Sequence, residues 1–84
     1  MLSAEQIVLS LKGHDQNRFF VITKVEDGFC WVANGKQRPL EHPKRKNPRH
    51  LQATGHTMAL AGLTNRQLRR GLRQLTVHQE ENWD

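Results

Sequence analysis

Hydrophobic and polar positions alternate with period two through the first third of the chain, the pattern of strands rather than helices. From Gln6 to Leu11, the apolar residues Ile7, Leu9 and Leu11 alternate with Val8 and Ser10, which predicts a first strand with one buried face. Gly13-His14-Asp15-Gln16-Asn17 follows as a polar turn, made of residues that tolerate positive φ or bond back to their own backbone, with Asp15 expected to cap it. Arg18 to Val25 reads as a long strand, with Phe19, Val21 and Val25 on one side and Phe20 and Ile22 on the other. Asp27-Gly28 marks a tight hairpin, after which Phe29, Trp31 and Ala33 share a face of a third strand. Asn34-Gly35 repeats the device. A short fourth strand is therefore expected over Lys36 to Leu40, confined to an edge or end because Pro39 cannot donate to a ladder. Prolines and charges argue against regular structure from Glu41 to Pro48, and a last short strand is expected from Arg49 to Ala53, around Leu51. Five short strands with tight turns point to a small barrel.

The period changes in the C-terminal third. Thr64 with Gln67 three residues on forms a capping box, and Leu63 and Leu68 take the positions of a hydrophobic staple. Leu68, Leu72 and Leu75 then fall on one helical face, while Arg66, Arg69, Arg70 and Arg73 cover the others. Gly71 weakens such a helix by roughly 0.5 to 1 kcal/mol relative to alanine, so packing has to support it. The expected organisation is mainly β: a barrel over residues 1–53, a linker over 54–62, a short C-terminal helix over 63–76 packed on or beside the barrel, and a flexible acidic tail over 77–84. Trp83, in that tail, suggests no role.

Charge adds a partner to this picture. The chain has 84 residues, a formal charge of +5 and a pI near 10.2. Its excess is concentrated from Lys36 to His50, where Lys36, Arg38, Lys44, Arg45, Lys46 and Arg49 face a single acid, Glu41. A neutral body carrying one cationic stretch is the electrostatic footprint for a polyanion, although a solvated basic loop or disordered tether has the same composition. Pro43 and Pro48 bias His42 and Asn47 toward extended backbone, so Lys44, Arg45 and Lys46 are expected to project in different directions along a phosphate track. In the first turn, Gly13 permits close backbone approach, and His14, Asn17 and Arg18 offer donors to phosphate or base edges. The helical arginines could extend that track or serve as an ordinary charged surface. The strand aromatics are assigned mostly to a core that is short of material.

Other chemistries find little support. Cys30 alone closes no intramolecular disulfide and begins no zinc knuckle, which suggests a reducing compartment. The five histidines have no metal-ligand spacing, and the acids form no convergent catalytic set. No cofactor and no small-molecule substrate are expected, and the chain reads as a non-enzyme. The short apolar stretch from Ile7 to Leu11 fits neither a signal peptide nor a spanning helix, so a cytoplasmic protein without membrane association is expected.

The run Leu11-Lys12-Gly13-His14-Asp15 leading into Arg18-Phe19-Phe20-Val21-Ile22 resembles the KOW motif. With Asn34-Gly35-Lys36-Gln37-Arg38 and Pro43 to Leu51, residues 6 to 53 are similar to bacterial KOW-domain RNA-binding proteins related to large-subunit ribosomal proteins, and the capped arginine helix resembles that family's ending. The family often has a glycine where Asn17 stands, and asparagine is the next-best residue for a left-handed turn. The resemblance implies an SH3-like barrel that binds ribosomal or other structured RNA and is associated with the ribosome, with ribosomal proteins as further partners and a monomeric state. A protein-binding SH3-like module of the translation or transcription machinery is the alternative. The RNA-binding residues expected on this basis are Lys12, Gly13, His14, Asn17, Arg18, Lys36, Arg38, Lys44, Arg45, Lys46, Arg49 and His50, with Arg66, Arg69, Arg70 and Arg73 from the helix. Replacing Lys44, Arg45 and Lys46 together by alanine is expected to weaken RNA binding and leave the barrel folded, as a gel-shift titration would show.

Overall fold

Period-two alternation places successive residues of the first two strands on opposite faces of one antiparallel sheet, and both faces are buried. The computed structural model describes residues 1–81, with side-chain surroundings for 1–75. Strands β1 (Gln6–Ser10), β2 (Phe19–Glu26), β3 (Phe29–Ala33), β4 (Lys44–Lys46) and β5 (Leu51–Thr57) form a five-stranded sheet in the order β4-β3-β2-β1-β5. Helix α1 (Asn65–Glu81) follows, and a single 3-10 turn, Pro48–His50, joins β4 to β5. The protein is thus mainly β, with five antiparallel strands and a C-terminal helix, an arrangement consistent with an SH3-like fold. The edge strands β4 and β5 are not paired with each other, so the expected barrel does not close.

One face carries Val8, Phe20, Ile22, Cys30, Val32 and Leu51, which pack together inside the curl of the sheet. The other carries Ile7, Phe19, Val21 and Ala33, covered by Leu68 and Leu72 of α1. The single buried face expected for the first strand is therefore corrected: the helix supplies the second cover. That strand ends at Ser10, which leaves Leu11 exposed. A register shift between Ile22 and Lys24 breaks the alternation in β2, so Val25 is exposed instead of sharing the face of Phe19 and Val21. The β2–β3 hairpin is the one expected, with Asp27 and Gly28 both at positive φ, 52° and 79°.

The second glycine turn does something different. The expected strand over Lys36 to Leu40 does not form, because the Asn34 carboxamide takes its amides: Lys36 N and Arg38 N both donate to Asn34 Oδ1 at 3.0 Å. Leu40 N donates instead to Asn65 Oδ1 at the start of α1, 2.8 Å away. Gly35 is required here. Its φ is +79°, and a Cβ would stand 2.5 Å from the Asn65 carbonyl oxygen.

The fourth strand is Lys44–Lys46, inside the stretch expected to be irregular, and it pairs with β3 through Cys30↔Lys46, Trp31↔Arg45 and Val32↔Lys44. The final strand, expected over Arg49 to Ala53, starts at Leu51 and runs on to Thr57, taking in part of the expected linker. The capping box forms as expected, with Gln67 N donating to Thr64 Oγ1 at 3.1 Å and Thr64 N to Gln67 Oε1 at 3.0 Å. The helix runs through Glu81 rather than ending at residue 76, and the last part of the expected tail, residues 82–84 with Trp83, lies outside the described residues.

Since Leu68 is fully buried between the sheet and its own helix, Leu68→Ala is expected to lower stability by about 2 to 4 kcal/mol, a large share of what a domain this small possesses. Urea denaturation followed by circular dichroism measures this; a loss below about 1 kcal/mol would show that the helix is not part of the core.

Candidate functional site

Strand β4 has no apolar residue, and its place in the sheet is secured by charge. Asp15, in the loop between β1 and β2, is buried, and its Oδ2 lies 3.3 Å from Lys44 Nζ and 3.7 Å from Lys46 Nζ. Lys46 Nζ also donates to Ser10 Oγ at 3.0 Å, and that hydroxyl donates to the Lys12 carbonyl at 3.2 Å. The two lysines therefore reach back to the same side, while Arg45, between them, is exposed. Asp15 does not simply cap its turn, as expected from the sequence; it pins the first loop to the basic strand.

These groups shift one another. Burial alone pushes the Asp15 carboxyl up, but the hydrogen bond from Lys44 and the charges of Lys44, Lys46 and Arg38 outweigh it and hold the group below the usual carboxylate range. For Lys46, burial pulls the ammonium below the usual lysine range, and the Asp15 carboxylate offsets only part of this. One carboxylate thus serves two ammonium groups and leaves the pair net positive.

The loop that carries Asp15 is closed by its own backbone. Ser10 N donates to Arg18 O at 2.9 Å, Asn17 N to Ser10 O at 2.8 Å and Arg18 N to Asp15 O at 3.1 Å. Asn17 adopts the left-handed conformation, φ 68°, that the resemblance requires at this point.

An open cleft flanks the loop on each side. One, of about 400 Å³, is lined by Lys12, Gly13, Phe29, Lys44, Arg45, Lys46, Asn47 and His50. The other, of about 430 Å³, is lined by Asn17, Arg18, Phe19, Asn34, Lys36, Gln37, Arg69, Leu72 and Arg73. Four lysines or arginines line each, so eight of the thirteen in the chain converge here, and no aspartate or glutamate lines either cleft. Arg69 is held in place by donating to the Gly35 carbonyl at 2.6 Å.

The structure therefore gathers eleven of the sixteen expected site residues into these two clefts. His14, Arg49, Arg66 and Arg70 are exposed but line neither. Arg38 is half-buried, its charge bears on Asp15, and its Nε is buried without a hydrogen-bond partner, so it faces inward. Sequence reasoning missed Phe29 and Asn47 as lining residues, having assigned the strand aromatics mostly to the core. Asn47 is extended as expected, φ −72° and ψ 127°, and accepts from Arg49 N at 3.0 Å to cap the 3-10 turn. The combined alanine replacement of Lys44, Arg45 and Lys46 is not a clean test of binding, because two of the three hold Asp15.

Among the described residues no group of three or more His, Cys, Asp or Glu is arranged to hold a metal ion, and no helix is long and apolar enough to cross a membrane. No protein-family model matches the chain, and no curated protein matches it.

Because the Asp15 carboxyl is held below its ordinary value, the stability it contributes is complete above the ordinary range, about pH 4, and is lost as pH falls through the lowered value. Asp15→Asn is expected to cost about 2 to 4 kcal/mol near neutral pH by stranding two lysines, and the gap to the unsubstituted protein should narrow toward about pH 3. Urea denaturation of both proteins at the two pH values measures this; a gap that does not change with pH contradicts the assignment.

Proposed function

We propose that the protein is a non-catalytic RNA-binding domain that grips structured RNA, ribosomal RNA in the first place, through the two basic clefts around its first loop. The observation that carries this reading is the convergence of eight cationic side chains from sequence-distant elements on two acid-free clefts. A solvated charged face would leave these residues scattered over the surface. Phosphates of a nucleic acid backbone are the natural counterpart: they repeat, they are anionic, and each neutralised phosphate releases condensed counterions.

Preorganisation favours the same reading. Lys44 and Lys46 are held by Asp15, Arg69 by the Gly35 carbonyl, and the loop between the clefts by its own hydrogen bonds, so little further order is needed on binding. The resemblance of Leu11 to Ile22 and of Pro43 to Leu51 to KOW-domain RNA-binding proteins agrees with it, and it is the ground for naming ribosomal RNA and a ribosome-associated role in translation.

Lys12 and Arg45 are exposed and bound to no carboxylate among the described residues, so removing them tests binding without disturbing the Asp15 cluster. Lys12→Ala with Arg45→Ala is expected to weaken binding to a ribosomal RNA fragment at least tenfold and to reduce the log-log salt slope by about 1.4, or 0.7 for each lost phosphate contact. Fluorescence anisotropy between about 50 and 200 mM salt measures both. An affinity independent of salt would refute the proposal.

A further inference from the structure

The two clefts differ in one respect. In the second, the ring available is that of Phe19, which is buried in the core beneath α1. In the first it is Phe29, which is half-buried, belongs to neither hydrophobic cluster and opens β3 directly after the Asp27-Gly28 turn. Arg45 lies over it, with its guanidinium carbon 4.7 Å from the ring centroid. That distance is within the range of a cation–π contact, so the ring restrains the guanidinium as a plane at the surface of the cleft.

From the cleft over β4 we infer a seat for a single unpaired nucleotide, its base stacked on the Arg45–Phe29 platform and its phosphate held by the surrounding lysines. This rests on the RNA-binding reading above and specifies which part of an RNA the site takes. Lys12, Lys44 and Lys46 supply cations around the platform. The Asn47 side chain spends its carbonyl oxygen on Arg49 N, and its amide nitrogen has no partner among the described residues and remains free to donate to a base edge. The volume, about 400 Å³, is that of a site for a small ligand, in the range of about 300 to 1,000 Å³, and not that of a groove for a duplex. Bases inside an RNA duplex are stacked on one another and unavailable, whereas those of bulges and loops can be splayed onto aromatic rings and arginine planes. An arginine suits this role and a lysine does not, since only the guanidinium is flat.

The other partly exposed aromatic pair is less suited to the role. Lys24 Nζ lies 4.5 Å from the Trp31 ring centroid, but it is a point charge and sits 3.9 Å from Glu26 Oε2, an acid that would repel phosphate.

The test uses the full chain and two RNAs: a blunt duplex, and the same duplex with one bulged fluorescent purine analogue. The protein is expected to bind the bulged duplex about tenfold more tightly (~1.4 kcal/mol) and to quench the analogue as it stacks. Arg45→Lys keeps the charge and loses the plane; Phe29→Leu keeps an apolar side chain and loses the ring. Each should abolish the preference and the quenching while leaving the salt slope unchanged. Arg45→Lys changes an exposed residue, so it remains informative should Phe29→Leu fold poorly. Equal, salt-dependent binding of both RNAs without quenching, or a preference that survives both substitutions, overturns the inference and leaves the RNA-binding reading standing. Failure to bind either RNA removes both.

Discussion

The contact between Asp15 and the two lysines of β4 is the constraint on which the candidate site depends. Lys44 and Lys46 lie on the same side of a three-residue strand that contains no apolar residue, and without a carboxylate between them their charges would repel. Their hydrocarbon stems can still cover apolar surface, as with Lys46, whose Nζ lies 5.8 Å from the Phe20 ring centroid. The carboxylate converts that repulsion into a tie across 29 positions of sequence, and so determines where the basic strand lies relative to the first loop. Because one acid faces two bases, the tie holds the cations in place without neutralising them.

From this tie the rest of the site follows. The loop from Leu11 to Arg18 becomes a ridge with β4 on one side and α1 with the Asn34 turn on the other. The helix brings Arg69 and Arg73 to the second side because Leu68 and Leu72 bury its apolar stripe against Phe19 and Val21. Gly35 allows the close approach on which that docking depends, since any side chain would meet the Asn65 carbonyl. Core packing and charge placement are thus two consequences of one arrangement: the same helix covers the sheet and carries arginines to the cleft.

Much of this was legible in the sequence. Alternation located β1, β2 and β3, Asp27-Gly28 marked the first hairpin, and Thr64 with Gln67 marked the start of the helix, because each is decided by residues close together in the chain. The two failures share a cause. Lys36 to Leu40 had the look of a strand, but its amides are taken by Asn34 and by Asn65, the latter 25 residues away. Lys44 to Lys46 had the look of an irregular basic loop, but β3 and Asp15 draw it into the sheet. Long-range partners override local propensity in both cases, and local patterns carry no record of them. For the same reason the basic residues of the site were recognisable by composition, whereas the placement of Phe29 beneath Arg45 was not.

The account places an RNA on the ridge formed by the first loop, between β4 and the helix, and amide shifts on titration test that placement most directly. On adding a bulged RNA duplex to isotope-labelled protein, the two-dimensional nitrogen–proton spectrum should show its largest changes at Gly13, Asn17, Arg45, Asn47 and Gly35, with the exposed edge of β5 around Gly55 unmoved. Changes centred on β5, or a spectrum that RNA leaves unaltered, would contradict it.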